Sequence, residues 1–522
     1  MNQDMVRILH GNTFVVSDRN GDIAASPDFP TGLFSFDTRF LSKWQLTVNG
    51  ERLQVLSIDD LQYFETRFFL VPGKPTHYVD ADLSVIRQRS IGNSFDEQLT
   101  VLNHIGEPID LTIRIEIESD FADLFEIKDI GHKQGTVHIR PEHQRLRLAY
   151  ERSTFRRETV VSASTPATFD ERGVTFAARI QPHGRWMTRL HVATLGTGGS
   201  EIRQSMHGQP GGARPQRRPE QVSWRARAPD LSCEKEALQH SYRRSLVDLA
   251  ALRLSPLILG ASNVPAAGLP WFMAIFGRDS LLTSLQVLPF TPELAATTLT
   301  LMASMQGNKL DDFRDEEPGK IMHEWRYGES AAFEEQPHTS YYGSADATPL
   351  FVILLDEYER WSGDRDLVRM LEPEARAALA WIEEYADLLG DGYIRYQTRN
   401  ARTGLENQCW KDSWDSISYH DGQLPGFPRA TCELQGYAYD ARIRGARLAR
   451  TVWGDREYAD RLERDAADLR ERFNRDFWIE DGEFYALALD SDGRPVDSLS
   501  SNMGHLLWSG IVDPSRAEAV AR

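Results

Sequence analysis

The sequence predicts a multidomain β + α protein: an antiparallel β-sandwich first, then a helical domain built from stacked hairpins. Three observations predict it. Short runs of period two dominate before about residue 200, helical stripes dominate after Cys233, and the helical part echoes itself. The expected boundaries are 1–200 for the β-rich domain, 201–225 for a linker and 226–522 for the helical domain.

The β reading rests on alternation bounded by turns. Trp44 to Val48 ends at Asn49-Gly50, and Leu111 to Glu118 (LTIRIEIE) and Arg145 to Tyr150 (RLRLAY) alternate apolar with polar. Such runs form strands with one buried face, and Asn-Gly favours the tight turn between them. The stretch Gly198 to Pro219 is rich in Gly, Pro and Arg and poor in apolar residues, so it reads as a linker.

The helical reading rests on spacing. Leu350, Leu354, Tyr358 and Trp361 step by 4, 4 and 3. Leu371, Ala375, Ala378, Ile382, Tyr385 and Leu389 step by 4, 3, 4, 3 and 4, and Leu434, Tyr437, Ala441 and Leu448 by 3, 4 and 7. Each set makes one apolar stripe at the helical period. The run Trp361-Ser-Gly-Asp-Arg-Asp-Leu367 is echoed by Trp453-Gly-Asp-Arg-Glu-Tyr458, 92 residues later. Asp391-Gly-Tyr393 and Asp481-Gly-Glu483 follow them, 90 residues apart. Self-similarity at a fixed spacing suggests stacked helix pairs, although two chance Gly-Asp caps would look the same. The segments 307–343 and 390–430, each about 40 residues, show little helical pattern. Loops that long inside a compact domain tend to carry function.

Composition narrows the function. With 59 basic and 77 acidic residues the formal charge is −18, which argues against nucleic acid and anionic membranes as partners. It fits a neutral substrate such as a sugar. Cys233, Cys409 and Cys432 are odd in number and lack metal spacing, which favours a reducing compartment. The start MNQDMVRILHGNTF has no apolar core, and no run of 18 apolar residues occurs, so a cytoplasmic protein without signal peptide or membrane span is expected.

Three segments carry candidate chemistry. In Trp271-Phe-Met-Ala-Ile-Phe-Gly-Arg-Asp-Ser280, Arg278 and Asp279 stand at a helix entry. Such a pair can grip vicinal hydroxyls while Trp271 offers a ring face; a helix cap with a local ion pair is the plainer alternative. The second segment is Gly319-Lys-Ile-Met-His-Glu-Trp-Arg326 followed by Tyr341-Tyr-Gly-Ser-Ala-Asp346, where charges and aromatics share a loop. It could equally be a solvated loop. His323 and Glu324 lack the second histidine of a zinc motif. The third is Asn407-Gln-Cys-Trp-Lys-Asp-Ser-Trp-Asp-Ser416, where Asp412 and Asp415 stand among Trp410, Lys411 and Trp414. Aromatic walls desolvate a carboxyl and raise its pKa, as a general acid needs. An exposed acidic turn anchored by tryptophans is the alternative. Asp490-Ser-Asp-Gly493 opens like a calcium loop, but no glutamate closes it at the twelfth position, so a hairpin turn is expected. No metal and no cofactor is expected.

Taken together, Gly277-Arg-Asp-Ser280, Gly319-Lys-Ile-x-His-Glu-x-Arg326, Tyr342-Gly-Ser-x-Asp-Ala-Thr-Pro349 and Gln408-x-Trp-Lys-Asp-Ser413 resemble the amylo-α-1,6-glucosidase family of glycogen-debranching enzymes. Phe36-Asp-Thr-Arg-Phe-Leu-Ser42, with Val48-Asn-Gly50 behind it, resembles the β-domain of its bacterial members. The resemblance implies an (α/α)6 toroid with an active site among the loops of its inner helices. It implies a glycosidase that inverts the anomeric carbon and takes an oligo- or polysaccharide. By the same token, Arg278 and Asp279 would grip the terminal sugar. Trp271 and Trp410 would stack on it, and Glu324 and Arg326 would line the pocket. Tyr341, Asp346, Lys411 and Trp414 complete the expected substrate-binding set. Asp412 would be the general acid, with Asp415 as second candidate. A toroid needs twelve helices, and eight or nine are legible between Cys233 and Arg522. The segment that would carry the general base finds no match. A toroid incomplete at its C-terminus is therefore expected, and a glycan-binding relative without hydrolysis, or a toroid enzyme acting on a disaccharide such as trehalose, are the rival readings.

Overall fold

The computed structural model describes residues 5–26, 29–73, 82–92, 94–129, 133–196, 228–254 and 263–522. The expected linker at 201–225 lies outside the described residues. The chain forms two compact units. The first comprises 1–261 with 268–274 and 327–333, and the second comprises 262–267, 275–326 and 334–522.

The first unit is antiparallel throughout. Val6–His10, Thr13–Ser17, Gly32–Ser35 and Thr38–Leu41 form a small sheet. A larger sheet runs in the order Thr136–Glu142, Arg145–Arg152, Phe155–Ala163, Arg185–Leu195, Phe95–Asn103, Leu83–Ile91, Glu65–Pro72, Glu51–Gln62, Lys43–Val48, Ile109–Glu118 and Gly173–Ile180. This large antiparallel β-sandwich, nearly a barrel, agrees with the expected fold. Its core gathers the inward residues of these strands, among them Trp44, Phe68, Phe95, Ile115 and Tyr150.

Charge also enters that core. Leu83–Ile91 alternates strictly, and its inward positions include Arg87 and Arg89. Glu97 stands directly across from Arg89 in the neighbouring strand. Arg87 Nε and Arg89 Nε donate to its two carboxylate oxygens at 3.0 and 2.8 Å, and Trp44 Nε1 donates at 3.2 Å. Arg87 also bonds Asp22 at 2.6 Å. All three of Arg87, Arg89 and Glu97 are fully buried. Burial opposes ionisation of Glu97, but the two guanidiniums outweigh it and hold its carboxyl below the usual range.

Segment 327–333 joins the first unit through polar contacts. Glu329 accepts from Tyr150 Oη at 2.6 Å and Arg152 Nη1 at 3.1 Å, and pairs with Lys133. Asp123 accepts from the amides of Phe125 at 3.0 Å and Ser330 at 3.1 Å. Burial, helped by the charge of Asp37, pushes its carboxyl up to about 6 against those hydrogen bonds. A carboxyl raised this way keeps a proton in the folded state that the unfolded chain has already lost. Its share of stability is therefore present at low pH and falls as pH rises from about 4 to about 6. Chemical denaturation across that window is expected to show a flatter dependence for Asp123→Asn, the difference reaching at most about 3 kcal/mol.

The second unit is a double layer of helices. Gly277–Gln286, Ala347–Ser362, Cys432–Leu448 and Gly504–Ser509 pack side by side as an inner row. Pro292–Ser304, Glu372–Glu384 and Arg456–Asp476 follow the first three as outer partners. The first two of these also touch the next inner helix. The echoed motif falls on equivalent turns. Gly363 and Gly454 both take left-handed conformations after the inner helices, with φ of 71° and 77°. Asp364 then caps Asp366 and Leu367, and Asp455 caps Tyr458. The stripe Leu350, Leu354, Tyr358 is buried, but Trp361 at its end is 57% exposed. Helix Glu372–Glu384 stops before Leu389, which is 48% exposed. In both cases the period outruns the face that has a neighbour. Asp490 accepts from the amides of Asp492 and Arg494 in a hairpin turn between Ala488–Leu489 and Pro495–Val496.

Candidate active site

The first inner helix begins where a strand pair forces it to. Ile275–Phe276 pairs with Glu324–Trp325, and the Gly277 amide donates to the His323 carbonyl at 2.8 Å. A Cβ on Gly277 would lie 2.0 Å from the Met322 carbonyl oxygen, so only glycine lets the chain turn into the helix at this point. The next residue, Arg278, is thereby fixed at the N-terminal end of the inner row.

Arg278 is a clamp. Its Nη1 donates to Asp346 Oδ2 at 2.8 Å and to the Cys409 carbonyl at 2.9 Å, and its Nη2 donates to Asp412 Oδ2 at 2.6 Å. Asp346 precedes the second inner helix and Cys409 and Asp412 belong to the long loop before the third, so one guanidinium gathers three segments. These are long-range pairs, not the local cap that the Arg-Asp spacing alone allows. Burial works against the Arg278 cation, but Asp346 and Asp412 outweigh it and push its pKa up. Asp346 is fully buried and its Oδ1 has no partner among the described residues. The Asp412 side chain is 37% exposed, so it is open to an incoming molecule. Asp279, half-buried, is pushed up by burial against the pull of Arg278.

A second polar chain runs beside the clamp. Lys411 Nζ donates to Ser500 Oγ at 2.7 Å, Ser500 Oγ to Asn502 Oδ1 at 2.8 Å, and Asn502 Nδ2 to Glu433 Oε2 at 2.9 Å. Glu433 also accepts from Thr431 Oγ1 at 2.8 Å and from the Trp410 amide at 3.4 Å. It is fully buried, and burial raises its pKa although those hydrogen bonds oppose the rise. The half-buried Trp410 ring meets His505, with centroids 4.2 Å apart, and His505 Nδ1 bonds Tyr437 Oη at 2.8 Å. Burial keeps both His505 and His323 toward the neutral form.

The other expected residues separate into groups. Glu324 pairs with Arg326 and, at 2.8 Å, with His338 Nδ1. Burial would raise its carboxyl, but Arg326 and His338 hold it far below the usual range. Tyr341 is fully buried and donates to Asp315 at 3.1 Å while accepting from the Leu405 amide at 2.6 Å. Asp415 is exposed and Trp414 is 64% exposed, so no aromatic wall encloses that carboxyl. Trp271 belongs to the first unit. Glu433, Tyr437, Asn502 and His505 join the cluster without having been singled out as site residues. Their one legible signal is spacing: Glu433 and Tyr437, and Asn502 and His505, stand one helical turn apart. Among the described residues no group of three His, Cys, Asp or Glu is arranged to hold a metal ion, and no helix is long and apolar enough to cross a membrane.

Comparison with known proteins follows the same division. Residues 8–191 match the N-terminal domain of (some) glycogen debranching enzymes. No curated protein gives a significant match. A putative kojibiose phosphorylase from human microbiome is similar over 92% of this chain and 69% of that one, at 9% identity and a TM-score of 0.51. A GH78 family rhamnosidase of Bacillus sp. GL1 matches 87% of this chain at 13% identity and a TM-score of 0.44, and the chain spans 40% of that protein's length. A GH63 mannosylglycerate hydrolase from Thermus thermophilus matches 50% of this chain and 72% of its own, at 16% identity and a TM-score of 0.38. Residues 8–191 thus form a domain of the glycogen-debranching N-terminal type, and the β-sandwich followed by a helical region is a fold shared with the putative kojibiose phosphorylase.

Proposed function

We propose that this chain is a cytoplasmic glycoside hydrolase of the amylo-α-1,6-glucosidase type, releasing glucose from α-glucan branch points with inversion. One observation carries the reading: Arg278 holds Asp346 and the partly open Asp412, two residues after the half-buried Trp410, at the N-terminal end of the first inner helix. Carboxylates and a guanidinium set for hydroxyl groups, with an indole alongside, suit a neutral sugar ring. In this reading Asp279 and Arg278 hold the hydroxyls of the terminal sugar and Asp346 orients Arg278. Asp412 exchanges its contact with Arg278 for the glycosidic oxygen and protonates it. A water attacks from the opposite face, activated by a second carboxylate roughly 6.5–9.5 Å away. The match of residues 8–191 to a debranching-enzyme domain supports the choice of substrate.

A glycan-binding protein without hydrolysis is the second reading. The observation in its favour is that Glu433, the carboxylate of the second polar chain, is fully buried and already bonded to Asn502 and Thr431. The test is a panel of α-glucans and disaccharides incubated with and without inorganic phosphate. Free glucose from a 6-O-glucosyl-branched dextrin, independent of phosphate, is the expected result. A sugar phosphate instead would overturn hydrolysis. Saturable binding without any product would favour the second reading. In either reading Asp279→Ala is expected to weaken saccharide binding by about 2 kcal/mol, measured by calorimetry, because it removes a charged acceptor of hydroxyl protons.

A further inference from the structure

The second unit contains a cavity of about 400 Å³ whose lining includes none of Arg278, Asp346, Asp412 or Glu433. That size lies within the roughly 300–1,000 Å³ of small-molecule sites. One wall is the end of helix Glu372–Glu384 and the turn after it, with Trp381, Tyr385 and Leu388. Tyr385 is half-buried and Leu388 is 45% exposed, so this wall offers apolar surface to an occupant.

The facing wall is polar, and its charges are already satisfied. Glu317 accepts from Arg399 Nη1 at 3.0 Å and from Trp381 Nε1 at 2.6 Å. Asp315 accepts from Tyr341, Thr398, Gln408 and the Arg399 amide at 2.7–3.2 Å. Arg395 spends its donors on Asp391 and on the carbonyls of Pro428 and Asp490. The buried Lys320 donates to the Asp315 carbonyl at 3.1 Å. An ionic ligand would meet a neutralised wall. What stays open is neutral: Gln397 and Tyr385 line the cavity, and neither side chain makes a hydrogen bond among the described residues. Open neutral polar groups facing an apolar patch suit hydroxyls around a sugar ring.

We propose that this cavity is a second, non-catalytic site for a sugar unit of an oligosaccharide, a proposal that rests on the glycan reading above. It is joined to the clamp through the chain. Ala345 and Gln408 line the cavity, and the residues after them, Asp346 and Cys409, are those that hold Arg278 by a carboxylate and a carbonyl oxygen.

Calorimetric titration of the full chain with maltotriose tests it. Wild type is expected to bind two equivalents. Asp279→Ala is expected to weaken the first about thirtyfold and leave the second unchanged, and Tyr385→Ala with Gln397→Ala to keep the first alone, its affinity unchanged. Gln397→Trp keeps the fold intact, because position 397 is exposed, and blocks the mouth. It is expected to weaken the second event at least tenfold. A single equivalent that Asp279→Ala weakens and both cavity variants leave untouched would overturn the second site while the glycan reading stands. No binding by any form of the chain would overturn both.

Discussion

Asp412→Asn is expected to lower glucose release from an unactivated α-glucan by about 10²–10⁴-fold, the range associated with losing a general acid. In the proposed mechanism this residue is the general acid; Arg278 holds its Oδ2 at 2.6 Å while leaving the side chain 37% exposed. The asparagine is nearly isosteric and can still accept from Arg278, so binding of the substrate should change little. The loss therefore belongs in kcat. An α-glucosyl fluoride needs no proton on its leaving group, and its hydrolysis should be far less affected. Asp415→Asn, at an exposed position in the next turn, is expected to leave the rate within about twofold. Equal losses in both variants, or full activity in Asp412→Asn, would remove Asp412 from the mechanism.

Glu97→Gln is expected to destabilise the first unit by about 3–5 kcal/mol, because two guanidiniums then remain buried with Asp22 as the one carboxylate still in a salt bridge with them among the described residues. Lys43 and Glu116 provide the contrast. They pair at 2.8 Å with side chains 28% and 43% exposed, and Glu116→Gln should cost at most about 1 kcal/mol. Urea denaturation followed by tryptophan fluorescence reads both, since Trp44 donates directly to Glu97. A small effect for Glu97→Gln would mean that water reaches the cluster and that the charges do not depend on one another.

The sequence and the structure agree where one physical rule governs a segment. Alternation located Ile109–Glu118, and the helical period located Ala347–Ser362 and Cys432–Leu448. The period misjudged Trp361 and Leu389, because spacing reports which face could be buried and not whether a neighbour covers it. Arg87 and Arg89 illustrate the opposite failure. Alternation cannot show that these two charged residues belong to the core, since only the partner strand reveals Glu97. The same holds at the candidate site. Arg278, Asp346 and Asp412 were legible as motif residues, although their union across 68 and 134 residues was not. Glu433 looks like an ordinary acidic residue in the first turn of a helix. Its link to Asn502, 69 residues away, exists only through packing of the inner helices.

The measurement that tests the central claim most directly is proton NMR of the first glucose released from a 6-O-glucosyl-branched dextrin, recorded before mutarotation. The account predicts the β-anomer, formed by wild type and lost in Asp412→Asn. Release of the α-anomer would contradict it, since retention requires two carboxyl groups only about 5–5.5 Å apart and a covalent intermediate in place of direct attack by water.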